Sequence, residues 1–303
     1  MAPGVIGLPE GLAARPATLD DAAAVTRLVA ACELAVHGET ETDRSEVEAY
    51  WRQPSFDLAV DSLLVFEGDR PVAEAEVLHG RRAEVNVYPG ARGRGIGTAL
   101  LAWTEERARA VGSKLLGQTV PDEDRSAVEL LTGRGYARLW TSWVLEVGLR
   151  ERPPEPTLPG GLAIRDFALG RDDHEVHEMI ETAFEEWPYH DPWPFEDWAA
   201  TTIHREDFEP WQMPLVVDGG EAVGAAFLGV YPDAGWVGQL AVRRSHRGRG
   251  LARALLQHAF VVFLDRGARR AQLSTDSRTG ALGLYERVGM HVTRSYAHYA
   301  KEP

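Results

Sequence analysis

The chain reads as an α/β protein built from two tandem copies of one domain, and three observations carry that reading. Its 303 residues suffice for two domains of roughly 150 residues each. Three motifs occur twice, in the same order, at an offset of roughly one domain length. Within each half, strand-like and helix-like segments alternate, which is the pattern of a sheet with helices packed on its faces.

The first motif pairs Gly11-Leu12-Ala13-Ala14-Arg15 with Gly161-Leu162-Ala163-Ile164-Arg165. The second pairs Arg92-Gly93-Arg94-Gly95-Ile96-Gly97 with Arg247-Gly248-Arg249-Gly250-Leu251-Ala252. The third pairs the segment 127–136 with 281–290, placing Leu131 opposite Tyr285. Between the copies, residues 150–161 hold Pro153, Pro154, Pro156 and Pro159, an extended and semi-rigid linker. The division expected is therefore 1–149, a linker 150–161, and 162–303.

In the first copy, Thr18 with Asp21 resembles a capping box and opens a helix over 22–34. Segments 63–67 and 72–78 read as a hairpin around Gly68-Asp69, with 83–88 as a third strand. The second copy mirrors this with 214–217 and 222–230 around Asp218-Gly219-Gly220, then 236–242. A Gly-rich turn and a long helix follow each time, over 98–111 and 252–266.

Hydrophobic residues make up 44% and charged residues 26%, the balance of a soluble globular chain with real cores. A formal charge of −14 argues against duplex nucleic acid or an anionic membrane as partner. It suits a cationic amine, although acidity on its own commonly serves solubility. Cys32 is the single cysteine, so no intrachain disulfide can form. The opening MAPGVIGLP has neither a basic nor an apolar signal-peptide region, and the apolar run 259–264 is too short to span a bilayer. The expected compartment is the cytoplasm.

The Gly-rich turn carries the chemistry. Glycines let the backbone approach a ligand, and the first N–H groups of the following helix have no intrahelical partner. With the helix dipole they form an anion site suited to a pyrophosphate. The spacing matches neither the Rossmann nor the P-loop fingerprint. A Gly-rich turn with no ligand is the bland alternative; two instances, each in the same context, count against it. His174-Glu175-Val176-His177 lacks zinc-site spacing and reads as an exposed helix face, so no metal is expected.

The pattern Arg247-x-x-Gly250-x-Ala252 after a strand, followed by Leu284-Tyr285-x-x-x-Gly289-Met290, resembles the acetyl-CoA signature of the GNAT acyltransferases. The resemblance covers nearly all of both halves, and the tandem arrangement is similar to that of a family member whose C-terminal domain is the catalytic one. It implies a mixed sheet in each copy, splayed between its fourth and fifth strands, with helices on both faces and the acyl thioester in the splay. It implies that the Leu240 N–H polarises the thioester carbonyl, a contribution of roughly 3–4 kcal/mol where measured. Val242 would bond the pantetheine. Arg247, Gly248, Arg249, Gly250, Leu251 and Ala252 would hold the pyrophosphate. The counterparts in the first copy are Val85, Val87, Arg92, Gly93, Arg94, Gly95, Ile96 and Gly97. Tyr285 would protonate the departing thiolate, a role that Leu131 cannot fill.

The first copy has Glu84 on its central strand, where such enzymes often keep a base; the matching strand 236–242 has no carboxylate. Glu185, Glu186, His190, Asp191 and Asp233 are candidates for that base, each individually the kind of residue that decorates a surface. Trp187, Tyr189, Trp193, Phe195 and Trp198 crowd the same segment, either roofing an acceptor site or packing helix to sheet. The family's asparagine before the last helix is replaced by Asp276-Ser277-Arg278-Thr279. The reading expected is acetyl transfer from acetyl-CoA to a small primary amine in the C-terminal copy. Alternatives are a non-catalytic acyl-CoA sensor, transfer of a longer acyl chain, or a protein N-terminus as acceptor.

Overall fold

The computed structural model describes residues 7–303; the first six residues of the opening segment considered above lie outside them. Packing divides the described residues into two units, one of residues 7–140 with 296–303 and one of residues 141–295.

The first unit begins with β1 (Leu12–Arg15), which leads to α1 (Ala22–His37), α2 (Arg44–Trp51) and α3 (Leu58–Asp61). Thr18 and Asp21 form the expected capping box, the Thr18 N–H donating to Asp21 at 2.8 Å. The meander β2 (Ser62–Glu67), β3 (Arg70–Leu78) and β4 (Arg82–Val87) follows, then α4 (Ile96–Ala110), β5 (Leu116–Pro121) and α5 (Arg125–Gly133). Strand alternation sends Ala73, Ala75, Val77, Ala83, Val85 and Val87 to one face, under Ile96, Leu100 and Trp103 of α4. Glu74, Glu76, Glu84 and Asn86 take the other parity, and the Trp51 indole of α2 donates to Glu76 there.

Next in the chain, β6 (Ala137–Gly148) leads to the second unit's own meander: β7 (Leu162–Arg165), α6 (Asp173–Phe184), α7 (Phe195–Thr201), β8 (Leu215–Asp218), β9 (Glu221–Val230) and β10 (Ala234–Val242). Then come α8 (Leu251–Asp265), β11 (Arg270–Asp276), the short α9 (Leu282–Glu286) and β12 (His291–Lys301), whose residues from 296 onward belong to the first unit. The apolar run 259–264 lies inside α8, with Ala259, Phe260, Val261 and Phe263 buried. One core lies between α8 and the sheet, and another between α6, α7 and the sheet, so helices cover both faces as expected.

The repeat of Arg15 and Arg165 has a shared structural purpose. Arg15 forks onto Asp21 at 2.7 and 2.8 Å, and Arg165 onto Asp172 at 2.6 and 2.9 Å. The Arg15 hydrogen bond holds the Asp21 carboxyl down at about 2. Burial works against Asp172, but hydrogen bonds from Arg165, Arg171 and the Ala168 N–H outweigh it and lower its pKa.

The packing boundary differs from the one read in the sequence. Residues 142–148 of β6 pair antiparallel with β11, while residues 296–301 of β12 pair antiparallel with β5. Each sheet is thus finished by a strand from beyond the expected division at 149. The segment 150–161 is extended, as its prolines dictate, but it belongs to the second unit: Arg152 pairs with Asp265 at 2.6 Å and Leu158 packs on the α8 core. A ladder of main-chain bonds takes whichever edge the chain brings alongside, so repeat spacing carries no record of this exchange.

Candidate active site

In the second unit, β10 runs parallel to β11 only over Ala234–Val237 with Arg270–Leu273. A bulge then falls between Val237 and Gln239, and beyond it β10 stays paired with β9 alone. The remaining residues of β11, Ser274 to Asp276, stay paired with β6. A gap opens between the fourth and fifth strands of the unit. The first unit repeats it, since β4 meets β5 only at Arg82 and Ala83.

Strand parity decides which main-chain groups face the gap. The Ala226 N–H donates to Pro214 on the far side of β9, and the Arg243 N–H donates to Val223 of β9. Ala226 lies opposite Leu240 and therefore makes no ladder bond with it. Leu240 and Val242 consequently turn their N–H and C=O groups into the gap. The Tyr88 N–H donates to Val72, which leaves Val85 and Val87 facing the corresponding gap in the first unit.

The turn after β10 is shaped by Gly248 and Gly250, with φ of 75° and 86°. A Cβ at either would meet nothing within 4 Å, so the backbone is open to a ligand. The first helical bond of α8 runs from the Ala254 N–H to Gly250, leaving the N–H groups of Leu251, Ala252 and Arg253 for an anion. Arg247 donates to the Val242 carbonyl at 3.1 Å and pairs with Glu186 at 2.6 Å. Arg249 and Arg253 have no side-chain partner among the described residues. Orphan N–H groups, an open backbone and two uncommitted guanidinium groups fit a pyrophosphate.

Tyr285 stands on α9 with 8% of its surface exposed. Burial raises the phenol above its ordinary value; the neighbouring Thr275 hydroxyl partly offsets this and the Asp276 carboxylate adds to it. Thr275 belongs to the part of β11 that has left β10, so the phenol near it lies beside the gap. Thr275 also bonds Thr279 at 3.0 Å, and the Thr279 hydroxyl accepts from the Ala281 N–H at the start of α9. Sequence reasoning passed over Thr275; a hydroxyl at the end of the fifth strand was its only signal.

The aromatic segment divides between the two readings offered for it. Trp198 is fully buried in the α6–α7 core, its indole donating to Gln239 at 3.1 Å. Tyr189 is 57% exposed, and Trp187 stacks on Phe184 with centroids 4.3 Å apart. His177 departs from the exposed helix face expected of it: it is half-buried, its ring against Phe195 and Trp198 and its Nε2 on the Trp193 carbonyl at 2.7 Å.

The first unit repeats the scaffold with different contents. Arg92 and the Cys32 thiol both donate to the Val87 carbonyl, at 3.3 Å each. Arg92 also pairs with Asp124 and Arg94 with Glu67, so these guanidinium groups are committed to carboxylates. Gly93 and Gly95 hold φ of 77° and 87°, and Ile96 is buried under the sheet. A Cβ on Gly97 would come within 3.1 Å of Leu130. Leu131 is 2% exposed in a cluster with Leu101, Tyr136 and Tyr299, a packing residue where the other unit has a phenol.

Two splayed sheets, each followed by a glycine turn that opens a helix toward the splay, define a class of acyl-CoA-binding proteins. The model of the acetyltransferase (GNAT) family matches residues 24–136 and again 174–290. The chain belongs to that family, as a tandem, acetyl-CoA-dependent acyltransferase. Among its relatives, a mycothiol acetyltransferase of Thermobispora bispora is 31% identical over 241 residues, spanning 75% of this chain and 79% of that one. The mycothiol acetyltransferase of Thermomonospora curvata is 34% identical over 218 residues, 69% and 70% of the two chains. A GCN5-related N-acetyltransferase from Sphaerobacter thermophilus superposes with a TM-score of 0.77 at 35% identity, covering 97% of this chain and 96% of that one. A tandem GNAT protein from the clavulanic acid biosynthesis pathway shares the fold at a TM-score of 0.73 and 18% identity, covering 96% and 98%. Among the described residues no helix is long and apolar enough to cross a membrane.

Proposed function

We propose that the chain transfers the acetyl group of acetyl-CoA to the primary amine of a small molecule, and that the C-terminal unit performs the reaction. The observation that carries this reading is the contrast between Tyr285, whose phenol lies near Thr275 beside the gap, and Leu131, which is sealed in a core. In this reading the pyrophosphate rests on the Gly248–Ala252 turn with Arg249 at hand. Pantetheine runs along Val242, and the Leu240 N–H meets the thioester oxygen as charge develops on it. Burial keeps the Tyr285 proton in place well into the alkaline range, so the phenol is available to the leaving thiolate.

The relatives named mycothiol acetyltransferase support a small-molecule amine as acceptor. The acidic charge of the chain and the exposed aromatic ring of Tyr189 are compatible with a cationic one. On this reading the N-terminal unit serves as a structural partner or a silent acyl-CoA site.

The test is thiol release from acetyl-CoA against a panel of primary amines, followed by Tyr285→Phe on the best acceptor. The variant is expected to lose turnover roughly 10²-fold with little change in acetyl-CoA affinity. Binding without turnover of any acyl-CoA would make the chain a sensor. Wild-type turnover in Tyr285→Phe would reduce the phenol to packing.

A further inference from the structure

An acceptor that arrives as an ammonium ion must lose a proton before its nitrogen can attack. The central strand of the C-terminal unit supplies no carboxylate for this, having Trp236 and Gln239 in the relevant stretch. The structure separates the candidates around it. Glu186 is committed to Arg247 at 2.6 Å, Asp233 is 64% exposed beside Arg270, and Glu185 stands in solvent. His190 differs. Its side chain is 15% exposed, and its Nε2 lies 3.0 Å from the Glu181 carboxylate. The same Glu181 oxygen accepts the Trp193 N–H at 2.9 Å, which fixes the carboxylate as an acceptor. Nε2 must then carry the hydrogen, and Nδ1 keeps its lone pair with no partner among the described residues.

We infer that His190, oriented by Glu181, is the general base of the C-terminal site, an inference that rests on the function proposed above. A base held by a third group in one tautomer is the arrangement that proton abstraction requires. The loop is anchored toward the gap, because Arg278, paired with Asp276 at the end of β11, also donates to the Pro188 carbonyl at 2.9 Å. The charged and titratable groups around His190 are Glu181 on α6, its neighbours Tyr189 and Asp191, the Glu186–Arg247 pair and the Arg278–Asp276 pair. Nδ1 takes one proton from the ammonium. The N–C bond then forms as the C–S bond breaks, and the thiolate takes the Tyr285 proton. The second nitrogen proton returns to the phenol through solvent, and the His190 proton leaves to solvent.

The experiment measures kcat and KM across pH for wild type, His190→Gln, Glu181→Gln and Tyr285→Phe, with 2-phenylethylamine, glucosamine and 1,4-diaminobutane as probe acceptors. His190→Gln should lower kcat roughly 10²-fold or more at neutral pH, leave KM for acetyl-CoA unchanged, and recover as pH approaches the amine's own pKa. Glu181→Gln should give a smaller loss with the same recovery. An unrecovered loss, or full activity of His190→Gln while Tyr285→Phe is impaired, overturns the base and leaves the site standing. Full activity of both variants overturns the C-terminal site as well. Independently of turnover, nitrogen-15 spectra of the ring should show the Nε2–H tautomer at neutral pH; the Nδ1–H tautomer overturns the proposal.

Discussion

Three carboxylates share one face of β3 and β4 in the N-terminal unit, and substituting one of them should make the protein more stable as pH rises. Glu76 lies directly opposite Glu84 and Glu74 opposite Asn86. Glu74 is 2% exposed; one of its oxygens accepts from Asn86 at 2.6 Å and the other has no partner among the described residues. Burial, then repulsion from Glu84, push the Glu76 carboxyl up to about 8, against the indole of Trp51 and the charge of Arg82. Burial and the neighbouring Glu76 likewise raise Glu74. A carboxyl whose folded pKa exceeds its unfolded value binds more protons folded than unfolded. Its contribution to stability is full below the unfolded value of 4.5 and is lost as pH climbs through about 8. At roughly 1.4 kcal/mol per pH unit the ceiling is about 5 kcal/mol. The open side of the cluster, where the Glu84 side chain is 43% exposed, admits water and reduces this to about 2 kcal/mol. Glu76→Gln keeps an acceptor for Trp51 and removes the titration. Thermal melts by circular dichroism from pH 4 to pH 9 should show the variant level with wild type at the acidic end. At pH 9 it should melt about 5 °C higher. A pH-independent offset, or a variant less stable at pH 9, would refute the electrostatic account.

Gly250→Val places a branched side chain at a positive φ and in the space open to the pyrophosphate; calorimetry should show acetyl-CoA binding weakened at least about ten-fold. Gly95→Ala strains only the turn of the N-terminal unit, so a folded, acetyl-CoA-saturated variant should retain most of its turnover; abolished turnover would move catalysis to that unit. Gly235→Ala would drive a methyl into the ring of Phe263, which is fully buried, and denaturant titration should show a loss of about 1–3 kcal/mol; an unchanged midpoint would mean that ring moves freely.

The duplication, the glycine turns and the contrast between Tyr285 and Leu131 were legible in the chain alone. Each is a local pattern: strand alternation, a positive φ that favours glycine, or one residue type at a repeated offset. Other features depend on which distant residues meet, and only tertiary structure decided those. Main-chain ladders place residues 142–148 beside β11 and 296–301 beside β5, across a boundary that repeat spacing set at 149. Glu186 and His190 are four residues apart and equally eligible by sequence. One is tied to Arg247, 61 positions away, while the other is held by Glu181 with a nitrogen to spare. Trp198 and Tyr189 belong to one aromatic run, yet α6 buries the first and leaves the second in solvent. Local periodicity specifies elements because it acts on neighbours along the chain. Proton transfer depends on which side chains those elements carry together, and that follows from packing.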